Sequence, residues 1–402
     1  MSVSSSHGAV VLVTGDFVRT GGMDRANYAL ANFLALSGIQ VELVAHRVDP
    51  ELAAQHNVGI HNVAKPLNSY FLGQGLLAAK GRRVGKQVAD AGGRVIVNGG
   101  NCRFADVNWV HYLHAAYCSP SSSLSAVRQL KRRVELPLNL RAERRALSAA
   151  RFVICNSRRT QADAIEKIGV APSKTHVVYY GNDATTFYPA DQSARTALRE
   201  RLGLPLNRPI ATFIGALGDR RKGFDVLLAA WNSLVQTNRV DALLVVIGTG
   251  AELDAWRRRT AEAGLERHIC YLGFRNDVAD ILRAADLLVA PTRYEAYGLG
   301  VQEALCCGTP AVVSAAAGVA ERYPAELGDL LLADAENVSA LADRLRHCLF
   351  DVDSLRRRCI SFSDILRART WDDMSCEIAH VVKLDQIRST GESRQAVLKQ
   401  SN

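Results

Sequence analysis

The sequence predicts an α/β protein built from two doubly wound domains. Three observations carry this. Apolar runs of strand length recur along the chain with helical stretches between them. The series runs once, breaks, and starts again. The break is a polar stretch, GNDATTFYPADQSARTALRERLGLP, over residues 181–205. Alternation of strand and helix implies parallel sheets covered on both faces. Two series in one chain therefore imply two such domains.

The elements follow in order. Residues 9–13, AVVLV, read as the first strand. Gly21 and Gly22 come next, then an amphipathic helix over 24–37. Further apolar runs at 41–45, 95–98, 107–111, 152–155 and 177–180 read as buried strands. Residues 124–149 have helical character with an interruption at Pro137. The second series comprises 210–214, 243–247, 269–272, 287–290, 311–313 and 330–332. Helices are expected over 224–234, 252–262 and 371–382. A short serine run at 121–123 and a polar tail after Arg388 stand apart from these elements.

Composition narrows the class. With 402 residues, 48% hydrophobic and 22% charged, the chain can bury a large core, and wholesale disorder is excluded. No apolar run approaches the roughly 20 residues of a membrane helix. The start, MSVSSSHG, lacks a basic region and an apolar signal core, so export is not expected. Nine cysteines, an odd number without a CxxC pair, fit reduced thiols in the cytosol. Cys306 and Cys307 are adjacent and expected to pack as small apolar residues.

The charge is local. Arg128, Lys131, Arg132, Arg133, Arg141, Arg144, Arg145, Arg151, Arg158 and Arg159 stand against only Glu135 and Glu143. That segment, 128–159, holds all but one of the formal +9. It reads either as a face for an anionic membrane or phosphate-bearing acceptor, or as a solvated helix face. No nucleic-acid-binding module accompanies it, so nucleic acid is not an expected partner.

The most informative stretch is 291–310, PTRYEAYGLGVQEALCCGTP. An apolar run ends in a loop with Glu295, then Gly298 opens a helical pattern with Glu303 about one turn in. Gly308-Thr309-Pro310 closes it. A strand end feeding a glycine and a helix N-terminus is a site for phosphate. This frame of Pro291, Glu295, Tyr297-Gly298-Leu299, Glu303-Ala304 and Gly308-Thr309-Pro310 resembles the signature of family 4 retaining glycosyltransferases of the GT-B fold.

The resemblance implies two Rossmann-like domains facing a central cleft. It places an acceptor-binding domain at 1–186 and a nucleotide-sugar-binding domain at 187–365. A C-terminal helix over 366–402, with a polar tail, would pack back on the first domain. Gly181-Asn182-Asp183 and Phe187-Tyr188-Pro189 resemble the family's interdomain connection, with Gly and Asn in altered order.

It also implies site roles. Glu295 would hold the hydroxyls of the transferred sugar and Glu303 the ribose diol. Gly298 and Leu299 would face the diphosphate, with Thr292 and Tyr297 in the same binding loop. After the strand at 210–214, Gly215 opens the run GALGDRRKG. Lys222 and an arginine of the Arg220-Arg221 pair would neutralise the leaving diphosphate. In similar enzymes an arginine directly follows the strand's glycine; here Ala216 does. Arg221 is the arginine expected to substitute for it. The loop with Phe274 and Arg275 resembles the one holding the base through backbone groups, so uracil and guanine are not distinguished. Gly248-Thr249-Gly250 and Ala317-Gly318-Val319-Ala320-Glu321 resemble further family turns.

In the first half, Gly21 and Gly22 resemble the glycine-rich loop lying against donor phosphates and acceptor. Val110-His111-Tyr112-Leu113-His114 resembles a segment whose second histidine reaches the donor sugar, so His114 would touch a sugar hydroxyl or the forming oxocarbenium region. His111 and His114, with Cys118 alone nearby in sequence, do not make a metal set.

The expected activity is transfer of a sugar, with retention, from a UDP- or GDP-sugar to a glycan or lipid-linked saccharide of surface-polymer biosynthesis. It needs no metal and no cofactor. The expected location is the cytoplasm, with peripheral membrane contact through 128–159. Two rivals stand beside it: an epimerase or phosphorylase of the same shape, and a non-catalytic nucleotide-sugar binder.

Overall fold

The computed structural model describes residues 8–117, 126–218, 220–237 and 241–384, without the side chains of 126–132. Cys118, the serine run at 121–123, the side chains of Arg128, Lys131 and Arg132, and the tail after Arg388 lie outside the described residues. The chain divides into two compact units. One holds the residues up to Gly181 and those from Trp371; the other is Asn182–Thr370.

In the first unit the strands are β1 (Val10–Val13), β2 (Asp16–Phe17), β3 (Val41–Ala45), β4 (Arg47–Val48), β5 (Val58–Asn62), β6 (Arg94–Asn98), β7 (Val107–Val110), β8 (Phe152–Cys155) and β9 (Thr175–Val177). The helices are α1 (Gly22–Leu36), α2 (Pro50–Ala53), α3 (Tyr70–Asp90), α4 (Ala126–Ala149) and α5 (Arg158–Asp163). Seven strands form a parallel sheet in the order β5-β3-β1-β6-β7-β8-β9, and β2 pairs with β4 alone. β1 is interior and fully buried, and the chain winds outward from it, first to β3 and β5 and then to β6 through β9.

The second unit contains α6 (Gln192–Leu202), β10 (Ile210–Ile214), α7 (Phe224–Gln236), β11 (Leu243–Ile247), α8 (Leu253–Glu262), β12 (Ile269–Gly273), α9 (Val278–Ala284), β13 (Leu287–Ala290), α10 (Leu299–Cys306), β14 (Ala311–Ser314), β15 (Leu331–Leu332), α11 (Val338–Phe350) and α12 (Val352–Ala368). Its sheet is parallel, in the order β12-β11-β10-β13-β14-β15. The topological switch falls between β10 and β13, where loops diverge at the strands' carboxyl ends and leave room for a ligand. After this unit, α13 (Trp371–Val381) packs on α1 in the first.

Most expected elements are present, and the differences have physical reasons. The helix expected to break at Pro137 is continuous in α4. The carbonyl that loses its donor belongs to Arg133; both positions are exposed, so the lost bond is not a buried one. Strand β9 lies earlier than the apolar run at 177–180, because Tyr180 faces inward and bonds to His111 and Asn156. Helix α3 was not anticipated. Its glycines lower helix propensity but let it lie close on the sheet: a Cβ on Gly81 would stand 2.7 Å from Val13 Cγ1. The edge strand β5 and the short β2–β4 pair also escaped, being too polar to read as buried runs.

Candidate functional site

The site in the second unit is assembled where β10 and β13 diverge. Gly215 follows β10 directly, and its N–H donates to Ile247 O at 3.0 Å. A Cβ there would stand 2.9 Å from Lys222 Cγ, so only glycine lets the Lys222 side chain pass. Gly223, at φ +71°, starts α7 and presses on the loop after β13; a Cβ on it would fall 1.8 Å from Pro291 O. The two loops are thus locked together along their backbones.

Lys222 and Arg221 converge on Glu295. The Lys222 ammonium donates to Glu295 Oε2, and Arg221 stands 3.5 Å from the same oxygen. Arg221 also donates to Tyr294 O at 3.1 Å. Burial would push the Glu295 carboxyl up, but the charges of Lys222 and Arg221 reverse this and hold it below the ordinary value. Glu295 is therefore an anion held by two cations in a partly desolvated pocket.

Gly298, at φ +111°, turns the chain into α10. The first N–H groups of α10, at Leu299 and Gly300, have no partner inside the helix and carry its positive end. Glu303 is buried one turn further on. Thr292 is interior: its Oγ1 lies 3.0 Å from Arg221 O and 2.8 Å from Tyr294 O. Tyr297 is also interior, its hydroxyl donating to Gln302. Its carbonyl accepts from Val319 N at 2.7 Å. Beyond β12, Phe274 is 68% exposed and Arg275 pairs with Asp277 at 2.7 Å.

Arg293 escaped the sequence reading. Its guanidinium donates to Asp225 at 2.7 and 2.9 Å and to Arg220 O at 2.6 Å, while its N–H donates to Arg221 O at 2.9 Å. It therefore fixes the loop that carries Lys222. Nothing in its spacing marked it, since it sits between Pro291 and Glu295 as an apparent spacer.

In the first unit, Gly21 at φ +79° precedes Gly22 at the start of α1. Nearby, Asp16 is fully buried and accepts from Tyr70 and Arg47 at 2.6 Å each. Burial, and Asp16 beside it, push the Asp24 carboxyl up to about 6. His114 follows β7, with burial holding its imidazole below the ordinary value. His111 is a core residue: its ring contacts Trp109 and Tyr180, and burial drives it down to about 3. Among the described residues, no three His, Cys, Asp or Glu side chains cluster as a metal set.

The comparisons with known proteins agree with this geometry. Residues 20–186 match the model "Glycosyltransferase Family 4", and 194–363 match "Glycosyl transferases group 1". A D-inositol 3-phosphate glycosyltransferase of Xylanimonas cellulosilytica is 32% identical over 253 residues, 60% of this chain and 58% of that one. The chain thus spans about three fifths of the length of the curated relatives it matches first. Sucrose-phosphate synthase from Thermosynechococcus elongatus superposes with a TM-score of 0.73 at 21% identity, over 93% of this chain and 98% of that chain. Anabaena HepE in complex with UDP-glucose gives 0.67 at 18% identity, over 93% and 99%. The fold is that of the GT-B glycosyltransferases. The chain belongs to the family 4 glycosyltransferases.

Proposed function

We propose that the protein transfers a sugar from a nucleoside-diphosphate sugar to a hydroxyl acceptor, with retention of anomeric configuration. The observation carrying this is the convergence of Lys222 and Arg221 on Glu295 beside the N-terminus of α10. Expelling a nucleoside diphosphate concentrates negative charge on its phosphates. Cations and helix N–H groups already in place bind that charge more tightly in the transition state than in the ground state. Lys222 and Arg221 would take the diphosphate, with α10 beside them. Glu295 would hold the sugar hydroxyls and Glu303 the ribose diol. His114 would touch the transferred sugar. In this reading side chains do the neutralising in place of a metal ion, and turnover should persist in EDTA.

UDP-glucose in complex with HepE makes a UDP-sugar the first donor to test. The acceptor we favour is a glycan or lipid-linked saccharide. Support comes from α4, whose described outer positions Arg133, Val134, Leu138, Arg141, Arg144 and Arg145 are all exposed. An arginine-rich helix face with interleaved apolar side chains suits an anionic lipid surface. Among the described residues no helix is long and apolar enough to cross a membrane.

The test is product analysis. UDP- and GDP-sugars are incubated with and without a panel of glycan, lipid-linked and polyol-phosphate acceptors, and the product's anomeric configuration is read by NMR. An acceptor-dependent product with the donor's configuration supports the reading. Conversion of the donor alone into an epimer would instead make the protein an epimerase. Flotation with anionic and neutral vesicles tests α4. At roughly 1 kcal/mol per basic residue, neutralising Arg133, Arg141, Arg144 and Arg145 should weaken vesicle binding a hundred-fold or more.

A further inference from the structure

We propose that Glu143 is a positioning residue for His114. This rests on the reading of His114 as a contact of the transferred sugar. Glu143 lies on α4, whose Arg133, Arg141, Arg144 and Arg145 are exposed, yet it is only 1% exposed. Its Oε1 accepts from His114 N at 2.8 Å and its Oε2 from Ala115 N at 3.0 Å. One carboxylate thus caps the first two N–H groups of the short turn His114–Ala116, 29 residues away in the chain.

Burying a carboxylate without a countercharge is costly, and its bonds must offset that cost. Among the described residues the bonds are those two amides, and burial still leaves the carboxyl above its ordinary value. A leucine or methionine would fill the same space at lower cost, so packing alone does not explain the residue. What the carboxylate adds is placement. Bidentate bonds to consecutive amides fix the position and pitch of the turn, and with them the Cα–Cβ direction of His114.

The anchor is itself immobile. Next to Glu143, Ala146 and Leu147 are buried, Leu147 packing with Val110 and Leu113. On the other side the Gly99–Asn101 turn is pressed on the helix: a Cβ on Gly100 would stand 3.1 Å from Glu143 N. The far end of the His114 turn is held by Lys167, whose Nζ donates to Ala116 O at 3.3 Å. Tyr112 meets the His114 ring edge-on at 5.2 Å between centroids. The imidazole is therefore set by a frame in which Glu143 is a charged strut from α4.

The experiment is a double-mutant cycle between Glu143→Gln and His114→Ala, read as kcat for hydrolysis of a nucleotide sugar chosen from UDP-glucose, UDP-N-acetylglucosamine and GDP-mannose. Glutamine keeps one acceptor but turns an NH2 toward the other amide. A misplaced contact typically costs up to about a hundred-fold. We expect Glu143→Gln to lower kcat about ten- to hundred-fold and to leave nucleoside-diphosphate affinity within three-fold. The His114 and Ala115 amide resonances should move. In the Glu143→Gln background, His114→Ala should cost far less than in the native protein. Glu143→Asp, which keeps the charge but withdraws it by one methylene, answers the same question should the glutamine variant not fold. A kcat within two-fold of native for these variants, or losses that multiply independently, overturns the inference. Should His114→Ala be crippled and the Glu143 variants not, this inference alone falls. Should His114→Ala turn over normally, the role of His114 falls with it.

Discussion

Replacing Lys222 with methionine separates the two things this side chain does. It neutralises Glu295 in the resting protein and, in our reading, the departing diphosphate during transfer. Removing one preorganised donor from a developing charge costs about 10²–10³ in rate, or about 2.7–4 kcal/mol. Arg221 remains 3.5 Å from Glu295, so the lower end is expected, roughly a hundred-fold in kcat. The stability effect is smaller. Breaking a fully buried pair costs about 3–5 kcal/mol, but these side chains are 23% and 17% exposed and Arg221 still faces the carboxylate. About 1–2 kcal/mol is expected. The sign with pH follows from Glu295. In the native protein its carboxyl is depressed, so its contribution is present above the ordinary carboxylate value and fades as pH falls through its folded pKa. Without Lys222, burial dominates and the carboxyl rises. The deficit of Lys222→Met should then be largest near pH 8 and shrink toward pH 5. Adding Glu295→Gln should restore stability without restoring turnover. The assay is kcat for nucleotide release alongside thermal unfolding at both pH values. A folded Lys222→Met protein turning over within three-fold of native would refute the reasoning.

Further expectations concern the scaffold of both units. Gly223→Ala places a Cβ at 1.8 Å from Pro291 O at φ +71°, so the loops must part; a loss of more than 3 kcal/mol, from clash and backbone strain together, should show in denaturant unfolding. Arg293→Leu breaks the link to Asp225 and Arg220 O and should lower kcat about ten-fold or more with nucleotide affinity little changed, as calorimetry and kinetics together would show. Asp24→Asn should stabilise at pH 8. The Asp24 carboxyl is raised to about 6, so its contribution is present below the ordinary value and lost as pH rises through about 6. The full shift would be about 3 kcal/mol, but the residue is half-buried and about 1 kcal/mol is expected after screening, or ~2–4 °C in Tm. The gain should vanish near pH 4.

The central strands of both units were legible in sequence because they are buried on both faces. Runs such as Leu243–Ile247 are apolar throughout, and the reading at 243–247 matches β11 residue for residue. The frame from Pro291 to Pro310 was legible because glycines and prolines mark where the backbone must turn. The contact between Lys222 and Glu295 spans 73 residues, and no local pattern encodes it. A family resemblance was needed to bring those residues together. Helix α3 was hidden because its glycines serve packing against Val13 and Phe104 at the expense of local propensity. Glu143 and Arg293 were hidden for another reason. A charged residue that bonds backbone amides or carbonyls of a distant loop looks, in one dimension, like any surface charge.

The central claim is that the cationic corner after β10 and β13 binds and expels a nucleoside diphosphate. Calorimetric titration of UDP- and GDP-sugars into the native protein, with release of the diphosphate followed in parallel, tests it most directly. The account predicts saturable binding of a nucleotide sugar and slow release of the corresponding diphosphate in EDTA. Absence of binding to every nucleotide sugar, or binding with no release under any acceptor, would contradict it.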